Sequence, residues 1–261
     1  IFLSLFIISL YYYFQRIEIF DYSLFIPLGI MFIVGVYDDF YNADFKLKFL
    51  LQIIVVKILI DQGYVISNYH GLFGFYEVPW VLAQLSTIFV FLVVVNAINF
   101  IDGIDGLAIS EVIKTIILIE FISNKQTPLF NIGLLVICSI IPLYYFNFKR
   151  KGKVFLGDGG SMLLGTIIMV YLLYILGPEY NLKPSFQLNK TLMSVLVLFY
   201  PLIDLLRVFI LRISKGKSPF HPDQNHLHHK LISYLNKHYL AVFFIIAFEI
   251  ILILIAKFLI N

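Results

Sequence analysis

Long apolar stretches separated by short polar ones follow one another along almost the whole chain. Cutting at clusters of charged residues, glycine and proline gives nine of them: 1–14, 21–37, 47–61, 80–100, 107–122, 129–147, 161–177, 191–211 and 239–260. Roughly 20 apolar residues in an α-helix cross the hydrocarbon core of a bilayer. The pattern therefore predicts an all-α polytopic membrane protein with about nine transmembrane helices. No polar stretch is long enough for a soluble domain, so residues 1–261 are predicted to form a single membrane-embedded domain.

The first residue is Ile1 rather than Met, and it already lies inside an apolar stretch. We therefore expect the natural N-terminus to lie upstream, which would leave this domain N-terminally incomplete and its first helix shortened.

The distribution of Lys and Arg predicts which side of the membrane each connection faces, because cytoplasmic loops are enriched in these residues. Alternate connections divide into two sets, one with eleven Lys and Arg residues and one with four. The richer set is predicted to be cytoplasmic and comprises Lys46, Lys48, Lys149, Arg150, Lys151, Lys153, Arg212, Lys215, Lys217, Lys230 and Lys237. On the opposite side, residues 61–79 hold three glycines and no Lys or Arg, which is typical of an external turn or hairpin, with a plain connector as the alternative.

Composition excludes several classes of protein. Hydrophobic residues make up 61% and charged residues 13% of the chain, against about 45–50% and about 25% in soluble domains. The single cysteine, Cys138, excludes a disulfide framework and a cysteine-based zinc or iron–sulfur site. The net charge of +3 is what the cytoplasmic bias of Lys and Arg alone would produce, so it does not indicate nucleic-acid binding.

Acidic residues gather on the predicted cytoplasmic side. Seven of the ten aspartates lie there: Asp38, Asp39, Asp44, Asp102, Asp105, Asp158 and Asp223. Carboxylates gathered at helix ends repel one another unless a cation or a cationic group offsets their charge. The clustering therefore predicts a polar site at the cytoplasmic face.

The first motif, Gly35-Val36-Tyr37-Asp38-Asp39, ends the second predicted helix, and Lys46 and Lys48 open the next. Adjacent residues on a helix point about 100° apart, so at least one of the two acids must face a polar cavity rather than lipid. A solvated helix end and lysines that only anchor the helix are the plain alternatives.

The second motif spans Asn96 to Ala108 and places Asn or Asp at three-residue steps, at positions 96, 99, 102 and 105. This spacing aligns the polar groups along one helical face before two glycines open the backbone. Such a stripe could line a cleft that binds phosphate or metal. Asx capping of a helix end would explain one Asp-Gly pair but not four aligned groups.

The third motif is Phe155-Leu156-Gly157-Asp158-Gly159-Gly160-Ser161. Glycines let the main chain approach a ligand, a helix N-terminus presents free N–H groups to phosphate, and aspartate is a typical oxygen ligand of Mg²⁺. A serine N-cap after a glycine turn is the alternative.

The fourth motif runs from Ser218 to Lys230 and concentrates four of the six histidines within nine positions. Its His-x-His-His run could ligate zinc, but no cysteine accompanies it and the nearby acids prefer Mg²⁺. Imidazoles beside Lys and Arg are better suited to hold a diphosphate by hydrogen bonds and charge. The isolated His70 and His238 are predicted to be surface residues.

Two ionisable pairs lie inside predicted helices. Asp204 and Arg207 are three residues apart and are predicted to pair or to point into the bundle. Glu111 and Lys114 have the same spacing, and for both pairs a catalytic and a structural role stay open.

In this order, the four motifs resemble those of the polyprenyl-phosphate N-acetylhexosamine-1-phosphate transferase superfamily. The resemblance runs from Gly35 to about Lys230, and the segment from Asn96 to Ala108 is its most specific part. The Pro-Asp…His-x-His-His form of the fourth motif is similar to the bacterial branch that starts O-antigen, teichoic acid or enterobacterial common antigen chains. It is less similar to the peptidoglycan translocase.

The resemblance implies transfer of a HexNAc-1-phosphate, such as GlcNAc-1-phosphate, from a UDP-sugar to undecaprenyl phosphate, with release of UMP. It implies Mg²⁺, for which Mn²⁺ could substitute, and a site on the cytoplasmic face of a bacterial inner membrane, with a homodimer as one candidate assembly. The residues it implicates in catalysis are Asp38, Asp39, Asp102, Asp105 and Asp158, with Asp158 as the metal ligand. Those it implicates in substrate binding are Lys48, Asn99, Phe155, His226, His228 and His229.

The chain departs from the superfamily pattern in two places. Nothing before Gly35 matches the further helix and the basic segment with a Pro-x-x-Gly-Gly turn with which the family normally begins, and residues 148–154 are more basic than expected. A direct attack by the lipid phosphate and a two-step route through an aspartyl intermediate both stay open. A membrane metallohydrolase of lipid diphosphates and a transporter are the alternatives from other classes, and dependence on a uridine nucleotide separates them from the transferase.

Overall fold

The structure is a helical bundle with one small hairpin. It is a computed structural model that describes residues 1–72, 74–149, 152–186, 188–219 and 226–260. The helices are α1 (Phe2–Phe14), α2 (Phe25–Tyr41), α3 (Phe45–Asp61), α4 (Trp80–Ile101), α5 (Leu107–Ile122), α6 (Phe130–Asn147), α7 (Gly157–Leu176), α8 (Lys190–Val197), α9 (Phe199–Ser214), α10 (Leu227–Leu235) and α11 (His238–Ile260). A 3₁₀ turn at Tyr22–Leu24 precedes α2.

The prediction of an all-α polytopic membrane protein is confirmed. Within the described residues, five helices are long and apolar enough to cross a bilayer: Tyr22–Tyr41, Trp80–Ile101, Phe130–Asn147, Gly157–Leu176 and His238–Leu259. Helices α1, α3 and α5 occupy three further predicted stretches but are shorter, with 13, 17 and 16 residues.

The eighth apolar stretch, 191–211, is divided into two helices. Helices α8 and α9 are bent by 73° relative to each other, and Leu198 between them has the non-helical torsions φ −114° and ψ 28°. Pro201 in the first turn of α9 has no N–H to donate to the carbonyl four residues earlier, which ends α8 at Val197. The Tyr200 N–H that the break exposes donates to Glu249 Oε1 of α11 at 2.8 Å.

The predicted turn between α3 and α4 is an antiparallel hairpin of β1 (Asn68–Leu72) and β2 (Phe75–Glu77), which confirms the hairpin. His70, predicted as a plain surface residue, instead joins this hairpin to the bundle, because its Nε2 lies 2.9 Å from the Leu176 carbonyl oxygen at the end of α7.

Helix α7 is the centre of the bundle. It is apolar on all sides and almost every residue from Ser161 to Leu176 is buried, which is the pattern of a core helix. It begins at Gly157, four residues before the predicted start at 161, so that Asp158 lies in its first turn. Gly35 lets α2 approach this turn, because a Cβ at position 35 would lie 2.2 Å from the Asp158 carbonyl oxygen.

We expect Gly35→Ala to destabilise the protein by about 1–3 kcal/mol, since the added methyl group would force the α2 and α7 backbones apart. Gly29→Ala in the same helix is the matched control, because its Cβ would meet only the Phe2 ring, at 3.2 Å. Thermal unfolding in detergent measures both variants. Equal midpoints for the two variants would contradict the close approach at Gly35.

Candidate active site

Four helix ends meet at one end of the bundle and carry the first three motifs. Helices α2 and α4 end there with the Asp38 and Asp102 segments, and α3 and α7 begin there with the Lys48 and Asp158 segments. Side-chain contacts between these segments bring the first three motifs together in one site.

Asp38 is almost completely buried, with 6% of its surface exposed. Its Oδ2 accepts from Lys48 Nζ at 2.5 Å, and its Oδ1 accepts from the Ala43 N–H at 2.7 Å. Lys48 Nζ also lies 4.0 Å from Asp158 Oδ2. Lys48 is therefore no mere anchor for α3, since its ammonium group lies between two carboxylates of the site.

Asp39 has a different partner from its neighbour. Its Oδ1 accepts from the Asp158 N–H at 2.8 Å and its Oδ2 from the Gly159 N–H at 3.0 Å. A carboxylate at this position satisfies two of the free N–H groups of α7 and is favoured by the helix dipole. Asp39 thus holds the first turn of α7, and with it Asp158, against α2.

Asp158 and Asn99 connect α7 to α4. Asn99 Nδ2 donates to Asp158 Oδ1 at 2.9 Å and to Ser161 Oγ at 2.8 Å. Ser161 is fully buried and was not predicted as a site residue, although it ends the third motif. The hydrogen bond from Asn99 holds Asp158 Oδ1 from one side, while Asp158 Oδ2 lies toward Lys48.

Asp102 lies one residue beyond the end of α4 and is partly buried. Burial and the nearby charges of Asp158 and Asp39 raise its pKa to about 8. A divalent cation bound beside such a carboxyl group would favour its charged form. Aspartate oxygens are also the ligands that Mg²⁺ prefers, so Asp158 and Asp102 fit a magnesium ion by their chemistry.

The other members of the predicted polar stripe diverge. Asn96 Nδ2 donates to Gln52 Oε1 of α3 at 2.8 Å, in the interior of the bundle. Asp105 is buried and forms an ion pair with Lys153. His238 Nδ1 lies 3.0 Å from Asp105 Oδ2 but outside hydrogen-bonding geometry, so His238 lies at the edge of the site rather than on a remote surface.

The fourth motif packs beside the second. Its described part begins at His226 and forms α10, which the sequence did not predict; His221 and Asp223 lie outside the described residues. A Cβ at Gly103 would lie 3.6 Å from His228 Nε2 and 3.8 Å from His229 Nε2. The histidines are therefore adjacent to the loop that follows Asp102.

Burial opposes charge on two of the histidines. His228 is fully buried, its Nδ1 lies 3.1 Å from Tyr200 Oη, and burial lowers its pKa to about 3. Burial and the proximity of His226 also lower the pKa of His229. Burial therefore favours the neutral form of His228, which would interact with a phosphate group by hydrogen bonding.

Phe155 and Asp44 have simpler local environments. Phe155 is 65% exposed just before α7, where its ring is accessible to a ligand. Asp44 is the N-cap of α3, accepting from the Lys46 N–H at 3.4 Å, and has a structural role.

Asp204 is the main residue of the site that sequence reasoning did not assign. It is fully buried in α9, and its two oxygens accept from the Leu227 N–H and contact His226 Nδ1, both at 2.7 Å. The prediction that Asp204 points into the bundle is confirmed. Its distance from the His motif in sequence, together with the unpredicted helix α10, concealed this contact.

Comparison with known proteins agrees with the motifs. The model of glycosyl transferase family 4 matches residues 22–176. A probable undecaprenyl-phosphate N-acetylglucosaminyl 1-phosphate transferase of Bacillus subtilis is 30% identical over 217 residues, which cover 82% of this chain and 58% of that protein. A decaprenyl-phosphate N-acetylglucosaminephosphotransferase of Mycobacterium leprae is 34% identical over 233 residues, covering 78% and 56%.

An undecaprenyl-phosphate alpha-N-acetylglucosaminyl 1-phosphate transferase of Salmonella typhi is 29% identical over 213 residues, covering 77% of this chain and 55% of that protein. The chain thus spans a little over half of the length of these relatives. The family model covers more than half of the chain, including the first three motifs. This chain therefore belongs to glycosyl transferase family 4.

Proposed function

We propose that this protein transfers N-acetylglucosamine-1-phosphate from a UDP-sugar to undecaprenyl phosphate and releases UMP. The observation that carries the proposal is the convergence of Asp38, Lys48, Asn99, Asp102 and Asp158 at one end of a membrane bundle, beside His226, His228 and His229. The names of the relatives supply the acceptor class and the sugar. The UDP donor follows from the resemblance of the motifs to the superfamily.

The site is proposed to face the cytoplasm from a bacterial inner membrane. The end of α2, the start of α3, the end of α4 and the start of α7 all contribute to it, which supports helices that alternate in direction across the membrane. The connections at this end are those with the higher content of Lys and Arg. On this basis the membrane is also crossed by the shorter helices α1, α3 and α5 and by the broken α8–α9 pair. The proposed number of membrane-spanning segments is nine.

Magnesium is the proposed cofactor, held by Asp158 with Asp102. When bound, the ion would neutralise phosphate charge and act as a Lewis acid toward a phosphoryl oxygen. Lys48 adds positive charge, and the histidines add hydrogen-bonding groups, around the phosphate groups. Phosphoryl transfer needs this neutralisation and an aligned attacking oxygen more than covalent help from the protein.

Direct attack is the proposed route. An oxygen of undecaprenyl phosphate forms the new bond to the sugar-linked phosphorus, and the phosphoanhydride bond to UMP breaks. Asp38 and Asp39 each have both carboxylate oxygens engaged, by Lys48 and Ala43 in one case and by the α7 N–H groups in the other. Carboxylates that are hydrogen-bonded in this way are poor nucleophiles, which argues against an aspartyl intermediate at either residue.

A lipid-diphosphate hydrolase is the second candidate, since the same carboxylates and histidines could position a water molecule. The assay follows release of labelled UMP from UDP-GlcNAc in detergent, with and without undecaprenyl phosphate and with and without Mg²⁺. It is run on this chain and on the product of its complete open reading frame. We expect UMP release to require both the lipid and Mg²⁺, with EDTA abolishing it and Mg²⁺ or Mn²⁺ restoring it.

Absence of UMP release from both proteins across a panel of UDP-HexNAc donors would overturn the proposed function. Release of inorganic phosphate from undecaprenyl diphosphate, without any requirement for a uridine nucleotide, would support the hydrolase instead.

A further inference from the structure

We propose that Asp204 is a positioning residue for this site: it fixes His226 with Nδ1 as the donor and leaves Nε2 as a hydrogen-bond acceptor for a hydroxyl group or a protonated phosphate oxygen of the substrate. The inference rests on the proposed function and adds a residue to it. Asp204 lies in α9, between the break at Leu198 and the His motif, and belongs to none of the four motifs.

The two carboxylate oxygens of Asp204 contact different partners. Oδ1 accepts from the Leu227 N–H at 2.7 Å, which caps the first turn of α10, and Oδ2 contacts His226 Nδ1 at 2.7 Å. A carboxylate that already accepts from a backbone N–H has only acceptor capacity to offer, so His226 Nδ1 must carry a proton. The ring nitrogen left for a ligand is Nε2.

Two further contacts keep the His226 ring in place. The Phe100 ring of α4 meets it edge-on, with centroids 5.9 Å apart, and the His228 ring stacks on it at 5.1 Å. Phe100 lies two residues before Asp102, so the ring is held against the segment that carries the acidic site. His226 is 6% exposed, which leaves little freedom for another orientation.

A metal site is the competing interpretation, because ligand atoms of Asp204, His226 and His228 lie within 4.8 Å of one another. Two ligands at zinc distances of about 2.0–2.2 Å in tetrahedral geometry are about 3.3 Å apart or more. The 2.7 Å between Asp204 and His226 is instead a hydrogen-bond distance. The arrangement is therefore a carboxylate–imidazole pair, the device by which proteins commonly select a histidine tautomer.

The variant Asp204→Asn should keep the cap on α10 and lose the positioning of His226. The amide oxygen can still accept from the Leu227 N–H, whereas the amide nitrogen can only donate toward His226 Nδ1 and forces the ring proton to Nε2. We expect kcat to fall about 10- to 100-fold, with little change in KM or in the unfolding midpoint. Asp44→Asn, which alters an Asp N-cap at α3, is the matched control and is expected to keep wild-type kcat.

Two readouts test the tautomer itself. ¹⁵N NMR of histidine-labelled protein in detergent, assigned with His226→Gln, should show a protonated Nδ1 in the wild type and an unprotonated Nδ1 in Asp204→Asn. The double variant Asp204→Asn/His226→Gln should be no less active than His226→Gln alone, because Asp204 acts through His226.

An unchanged His226 tautomer in Asp204→Asn, or additive losses in the double variant, would show that Asp204 only caps α10. Stoichiometric zinc in the wild type that is lost from Asp204→Asn would also overturn the proposal, because His226 would then be a ligand. The NMR result does not depend on turnover. A wild-type protein that is inactive but shows the expected tautomer would contradict the proposed function and leave the positioning role of Asp204 intact.

Discussion

Asp158→Asn is expected to lower kcat for sugar-phosphate transfer at least about 1000-fold, equivalent to about 4 kcal/mol of transition-state stabilisation. The substitution keeps the size of the side chain and removes the charge of the proposed metal ligand. It also places an amide in contact with Asn99 Nδ2, which now donates to Asp158 Oδ1 at 2.9 Å. The fold should persist, because the Asp158 N–H that donates to Asp39 is unchanged.

The measurement is UMP release at saturating substrate over a Mg²⁺ titration. Asp61→Asn is the matched control: Asp61 is exposed at the far end of α3 and pairs only with Lys57 among the described residues. This control should retain wild-type kcat and Mg²⁺ dependence. A tenth or more of wild-type kcat in Asp158→Asn, with an unchanged Mg²⁺ requirement, would show that Asp158 is not the metal ligand.

The sequence was most informative about the helices and about which motifs meet. Hydrophobic stretches alone predicted helices at α2, α4, α6 and α11, because a single apolar segment inside a bilayer can satisfy its own backbone hydrogen bonds only as a helix. The three-residue step between Asn99 and Asp102 predicted that both lie on one face, and in the structure both lie beside Asp158.

Sequence reasoning failed where a contact depends on packing between distant segments. The three-residue spacing predicted one shared face for Asn96, Asn99, Asp102 and Asp105, but Asn96 pairs with Gln52 in the interior and Asp105 pairs with Lys153. The adjacent pair Asp38-Asp39 gave no sign that Asp39 would bind the N–H groups of α7, 119 residues away. Which of two neighbouring acids becomes a cap is decided by the approach of α7 to Gly35.

A buried ionic cluster inside the bundle should control stability. Lys114 Nζ donates to Glu111 Oε2 at 2.5 Å within α5 and to Glu249 of α11, and all three side chains are almost completely buried. We expect Lys114→Met to destabilise the protein by about 3–5 kcal/mol, because it leaves two carboxylates in the interior without their cation. For a chain of this size that corresponds to a fall of roughly 10 °C in the unfolding midpoint.

The cluster is also linked to the candidate active site. Glu249 Oε1 accepts a hydrogen bond from the Tyr200 N–H at the break before α9, and Tyr200 Oη contacts His228.

Thermal unfolding in detergent compares Lys114→Met with two further variants. Lys57→Met breaks the exposed pair with Asp61 and should cost less than about 1 kcal/mol. Adding Glu111→Gln and Glu249→Gln to Lys114→Met should recover at least half of the lost stability, because the uncompensated charges are then gone. If Lys114→Met and Lys57→Met unfold at the same temperature, the buried cluster contributes no more to stability than a surface pair.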